Sequence, residues 1–226
     1  ALALARELGH GFSLADVLGF GGCLFSAMRR EPQALKDSAE ELTRLSIDSG
    51  FPGWLATATR SRGEALAMLG QVQEGIAQMR KGIAAMQSGG VACYSSEAFC
   101  SLAEAQAKAG QPEEGLTTLA EALDLVEETD ERVWQAEIHR VRAELLLRQG
   151  DEVEAEASLR KAVEVARRQS AKAWELRAAT SLARLRQSQG RIDEARQVLA
   201  EVYGWFTEGF DTPDLLEAKA LLEALA

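Results

Sequence analysis

The chain has 226 residues, 46% of them hydrophobic, and its 25 basic and 35 acidic side chains leave a net charge of -10. That acidic balance disfavours nucleic acids and anionic membranes as partners, because each requires a basic face. Three scattered cysteines, Cys23, Cys93 and Cys100, supply neither a disulfide framework nor a metal knuckle, and they fit a reducing cytoplasm.

Glu, Ala, Leu, Arg and Gln dominate and only four prolines interrupt them, so the chain reads as all-α. It opens ALALARELG without an initiator methionine. Residues 1–10 are expected to be the end of a truncated unit, and the chain a fragment of a longer protein. His10, at a helix junction, is assigned to capping. A helix over 11–30 then contains Gly19-Phe20-Gly21-Gly22. No strand precedes these glycines, so they make no dinucleotide fingerprint and are assigned to close packing or a bend. No long uncharged apolar run stands out that would cross a membrane.

Apolar residues three and four apart place further helices at 32–49, 52–69, 72–88, 91–109, 112–127, 131–149, 151–168, 171–189 and 191–208. Thr212-Pro213-Asp214 then offers an N-cap, a proline for the first turn and an early acid. Leu215, Leu216, Leu221 and Leu222 form one stripe, so 212–225 reads as a helix closing the core over Tyr203, Trp205, Phe206 and Phe210.

These helices repeat. Gly70, Gly110, Gly150 and Gly190 stand 40 residues apart, and Trp54, Tyr94, Trp134 and Trp174 keep the same spacing. Each of the four glycines is expected to end a helix in the left-handed conformation. Small residues recur on the first helix of each pair, at Gly63, Ala103, Ala143 and Ala183. On the second they recur at Gly75, Gly115, Ala155 and Ala195, with Met79, Leu119, Leu159 and Leu199 four positions later. At Gly115 a leucine should overpack the helix contact, whereas an alanine should be mild. The units are about 11–50, 51–90, 91–130, 131–170 and 171–210, with a cap at 211–226, all in one repeat domain. A fixed period of this kind marks a solenoid whose units bury their apolar faces only by stacking.

Candidates for chemistry are few. His10 and His139 lie far apart, and no phosphate loop is present. Glu74, Glu114, Glu154 and Glu194 recur with the period and so belong to the architecture. No catalytic, cofactor-binding or metal-binding residue is assigned, no cofactor is implied, and the chain itself is expected not to be an enzyme.

The pattern of small, small, large, small residues, its last row being Gly82, Ala122, Ala162 and Val202, resembles the tetratricopeptide repeat, whose usual unit is about 34 residues. That resemblance implies a right-handed superhelix of antiparallel helix pairs, with the first helix of each pair lining a groove. The lining would then include Arg60, Glu64, Glu97, Cys100, Glu104, Lys108, Glu137, Arg140, Glu144, Arg148, Arg177 and Arg184. Such a surface could hold an extended peptide through charge pairs, and salt links within the chain are an equal alternative.

Two stretches, Arg29 to Met86 and Ala166 to Leu225, go further. Both resemble the C-terminal repeat region of bacterial multidomain proteins described as adenylate/guanylate cyclases or predicted ATPases, and YGWFTEGFDTPDL is the most distinctive part. The resemblance implies a cytoplasmic regulatory or interdomain module whose partner is a protein segment or its parent's own ATPase or cyclase domains. The alternative is the sensor arm of an ATPase-type transcriptional activator that binds a small ligand in its groove.

Overall fold

The computed structural model describes residues 1–89 and 95–226. Cys93, Tyr94 and the expected helix start at 91 therefore lie outside the described residues. Contacts divide the chain into two compact units, 1–111 and 112–226, and each is described by itself.

The first unit begins with α1 (Leu2–Leu8), α2 (Gly11–Asp16), a π-helical stretch (Val17–Leu24) and α3 (Phe25–Met28). It continues through α4 (Pro32–Ser49), α5 (Pro52–Met68), α6 (Val72–Ser88) and α7 (Ser95–Lys108). The second contains α8 (Pro112–Thr129), α9 (Gln135–Arg148), α10 (Glu152–Arg168), α11 (Lys172–Ser188), α12 (Ile192–Tyr203) and α13 (Pro213–Ala224). All secondary structure among the described residues is helical.

Left-handed residues separate these helices at a finer spacing than the glycines revealed. Gly70, Gly110, Gly150 and Gly190 have φ between 75° and 90°, as expected. Halfway between successive pairs stand Asp130 and Ser170 at φ 57° and 56°, and earlier come Gly50 at 70° and Arg30 at 59°. One such residue therefore falls at every twentieth position from 30 to 190 wherever the chain is described. In three places it is a side-chain-bearing residue, on which sequence reasoning had no purchase.

Four further readings are corrected. The helical segment Gly11–Met28 is long and apolar enough to cross a membrane, with a mean hydropathy of 1.4, although no such run was noticed. In this fold it packs Ala15, Leu18 and Cys23 against Leu35, Ala39 and Leu42 of α4 and Ala58 of α5. The helix expected over 191–208 stops at Tyr203, and Gly204 follows it. Thr212 makes no capping bond; its Oγ1 donates to the Gly209 carbonyl at 2.7 Å. Tyr203 and Phe206 do pack on the α11–α12–α13 core, but Trp205, Phe210 and Leu216 are exposed. His10 caps α2 as expected, its side chain accepting from the Ser13 N–H.

Within each unit the small residues let paired helices touch. A methyl group added to Gly63 of α5 would sit 2.7 Å from both the Gly75 carbonyl oxygen and the Met79 nitrogen of α6. One added to Gly75 would sit 2.6 Å from the Gly63 oxygen, and one added to Gly82 would sit 2.6 Å from the Arg60 nitrogen. In the second unit Ala143 and Ala155, and again Ala183 and Ala195, hold the equivalent positions fully buried, so there the helices leave room for methyls. The mild effect expected of alanine at Gly115 therefore does not transfer to Gly75, one period earlier. Gly75→Ala should lower stability by roughly 1–3 kcal/mol, because backbone must give way on both sides and the gain in helix propensity is smaller. A urea titration checks this: the midpoint should fall with the slope unchanged. An unmoved or higher midpoint would show that α5 and α6 can separate freely.

Candidate functional site

The first unit contains a cleft of about 450 Å³ walled by Phe12, Phe20, Phe51 and Trp54. The rings form one cluster, with centroids 5.7 Å apart for Phe12–Phe51, 6.3 Å for Phe12–Trp54 and 5.5 Å for Phe20–Trp54. The glycine run explains how this wall is built. A Cβ on Gly19 would lie 2.2 Å from the Trp54 ring, so only glycine lets the π-helical stretch meet the indole. Hydrogen bonding from i to i+5 widens that stretch and resets which residues it presents. Asp16, Gly19, Phe20 and Leu24 all line the cleft.

Arg60 and Glu97 also line it, as a buried ion pair. Arg60 Nη1 donates to Glu97 Oε1 at 2.8 Å and to Glu64 Oε2 at 3.0 Å, and Nη2 donates to Ser61 Oγ. Ser101 Oγ donates to Glu64 Oε1 at 2.9 Å. Two atoms remain without a partner among the described residues, Arg60 Nε and Glu97 Oε2. A buried charged group left partly unsatisfied is costly, so each of these atoms would gain from a further partner, water included. Burial, then the charge of Glu97, pushes the Glu64 carboxyl up to about 7 despite Arg60 and the Ser101 hydroxyl. Burial opposes the charge on Arg60, but Glu97 and Glu64 outweigh it and the guanidinium pKa is raised. Burial also pushes the nearby Cys23 thiol up to about 11, so it stays protonated and is a poor nucleophile.

Of the expected groove residues, Arg60, Glu64 and Glu97 thus share one cluster in the first unit. Cys100 is buried, Glu104 is half-buried and Lys108 is exposed. In the second unit Arg140 is buried and donates to Glu137 at 2.7 Å and 2.9 Å and to Glu144. Arg177 pairs with Asp214 at 2.7 Å and with Glu137 at 3.5 Å, and its guanidinium carbon lies 4.9 Å above the centre of the Trp174 ring. Arg184 is exposed and pairs with Glu217, while Arg148 is exposed. Several of these charges link first helices one period apart within a unit, at separations of 37 residues for Arg60–Glu97 and Arg177–Asp214. Arg140 is buried, Arg177 is half-buried and both are paired with acids, so reversing their charges would set acid against acid and destabilise the second unit.

The aromatic wall was missed as a site. Phe12, Phe20 and Phe51 have no periodic spacing, and the signal that could have revealed them is a glycine run facing a tryptophan. Burial, then the charges of Arg142 and Lys161, hold the His139 pKa down at about 4.

Residues 24–221 match the family described as the MalT-like TPR region, and the chain belongs to that family. No curated protein matches it. Its fold is similar to PlcR of Bacillus thuringiensis, solved in complex with the peptide PapR7 and DNA. That likeness is at 15% identity and TM-score 0.75, covering 94% of this chain and 74% of that one. It is also similar to BtubC from P. vanneervenii, at 18% identity and TM-score 0.65, over 88% and 83% of the two chains. A third similar structure is the Signal Transduction ATPase with Numerous Domains (STAND) protein with a tetratricopeptide repeat sensor from Pyrococcus horikoshii. There the identity is 10% and the TM-score 0.64, over 97% of this chain and 37% of that one. The chain is therefore a TPR-like helical-repeat module.

Glu64 generates a pH prediction. Its folded pKa of about 7 lies above the ordinary 4.5, so the folded state binds the proton more tightly than the unfolded one. The resulting stability is fully present below about pH 4.5 and is lost as pH rises through 7. Relative to Glu64→Gln, which mimics the protonated form, the wild-type chain should lose on the order of 1–3 kcal/mol between pH 5 and pH 8.5. Urea midpoints of both chains at the two pH values check this. A constant difference would mean that folding does not shift the Glu64 titration between these pH values.

Proposed function

We propose that the chain is a non-catalytic regulatory module that holds a segment of another protein, or of its own parent, in the cleft of the first unit. The carrying observation is that cleft: four aromatic rings beside a buried Arg60–Glu97 pair with unsatisfied atoms. Its volume lies within the range of ligand sites, and apolar walls with a few polar groups suit an extended segment with one or two anchoring side chains. The PlcR structure, which contains a peptide, supports this reading, and the STAND protein with its repeat sensor supports a role beside an ATPase. The family match and the similar structures lend no support to a cyclase parent. DNA is not carried over from PlcR, because this chain has a net charge of -10.

A second reading, a small ligand in the same cleft, is favoured by the cleft's size alone. Selection of a displayed random-peptide library on the purified chain tests the first. Enriched peptides should bind Phe12→Ala at least tenfold more weakly, with helicity and melting unchanged, since the Phe12 ring is half exposed. Enriched peptides indifferent to Phe12→Ala would place binding elsewhere. If none is enriched, the segment-holding reading fails. The same preparation should neither hydrolyse ATP or GTP nor convert them to cyclic nucleotides, and turnover of either would overturn the non-catalytic assignment.

A further inference from the structure

We infer that the cleft of the first unit takes a cationic side chain, lysine or arginine, from the bound segment, held over Trp54 and beside Asp16. This rests on the segment-holding reading. The repeat itself supplies the reason. In the second unit the face of Trp174 is covered by the Arg177 guanidinium, 4.9 Å from the ring centre. Acids from neighbouring helices hold that guanidinium, Asp214 at 2.7 Å and Glu137 at 3.5 Å.

Three periods earlier, Trp54 stands where Trp174 does, but the position of Arg177 is occupied by Thr57. Thr57 and Trp54 both line the cleft. The aromatic seat is thus repeated while the internal cation is not. The acid is kept as well: Asp16 lies one residue from the position equivalent to Glu137, at the mouth of the π-helical stretch, where a one-residue shift in register is expected. Asp16 has no ion pair among the described residues and also lines the cleft.

Charge points the same way. Arg60, the cation at the floor, is already balanced by Glu97 and Glu64, and Glu97 Oε2 has no donor among the described residues. An anionic group would find one free donor, the buried Arg60 Nε, but would meet the Asp16 carboxylate and a guanidinium whose Nη atoms are engaged. A cation would find an aromatic face, a carboxylate and a spare acceptor.

The test uses three probes on the whole chain carrying 5-fluorotryptophan, with the Trp54 resonance assigned through Trp54→Phe. They are the peptide Ac-Leu-Ala-Lys-Ala-Leu-Ala-amide, its norleucine twin, and free n-butylammonium. The lysine peptide should shift the Trp54 signal saturably and bind at least fivefold more tightly than the norleucine twin. Asp16→Asn should erase that preference. Thr57→Arg, which restores the internal cation of the second unit, should block the lysine peptide. Circular dichroism melting confirms that both variants fold, and if Thr57→Arg does not, Asp16→Asn alone decides.

Equal binding of the two peptides, or a preference that survives Asp16→Asn, overturns the cation site and leaves the segment-holding reading standing. A shift caused by n-butylammonium that neither peptide reproduces keeps the cation site and overturns the segment. No shift from any probe overturns both.

Discussion

The contact on which the first unit depends is backbone against backbone between α5 and α6. Gly63, Gly75 and Gly82 remove the side chains that would hold those helices apart. Gly82 lies against the main chain of Arg60, so the same close approach fixes the residue that forms the floor of the cleft. From Arg60 the constraint passes to Glu97 of α7 through a buried ion pair and to Glu64 one turn along α5. Position at the cleft is thus inherited from a packing requirement elsewhere.

Buried charge has a second use in this chain. Arg60–Glu97 and Arg177–Asp214 each join elements one period apart inside their own unit. The first pair is buried and the second half-buried; such pairs add little net stability, but a shift in register would leave these charges desolvated without a partner, which is disfavoured. Small residues therefore let the helices approach, and paired charges make one approach better than its neighbours. The two units divide the aromatic and charged positions differently. In the second, Arg177 fills the seat over Trp174, and Trp134 packs against that ring at 4.8 Å. In the first, the seat over Trp54 opens on a cleft.

The repeat was legible because period, small residues and terminating glycines are all local signals. Periodicity also placed the breaks before 131 and 171, but not the left-handed backbone of Asp130 and Ser170, which side-chain-bearing residues signal far less clearly than glycine does. The π-helical stretch was half legible: three glycines suggested a bend or a close contact, and the contact proved to be the Trp54 ring. Arg60, Glu64 and Glu97 were named as lining residues, but their burial together depends on α5 and α7 meeting, which spacing alone does not state. The aromatic wall was illegible for a plainer reason. Phe12, Phe20 and Phe51 come from different helices and junctions, and only the fold brings them together.

The even metre of the helix ends bears on how such a chain can change length. A left-handed residue stands at 130 and again at 170, each just ahead of a new pair. Excising 131–170 would join Asp130 directly to Ala171, giving that helix the same kind of junction it now receives from Ser170. Phase, turn and the following tryptophan would all survive the cut. A cassette of forty residues could therefore be removed from this chain without redesigning any single helix, whereas a shorter excision would break the spacing of the left-handed turns. Length in this architecture is thus counted in whole cassettes, because only a forty-residue step preserves every turn at once.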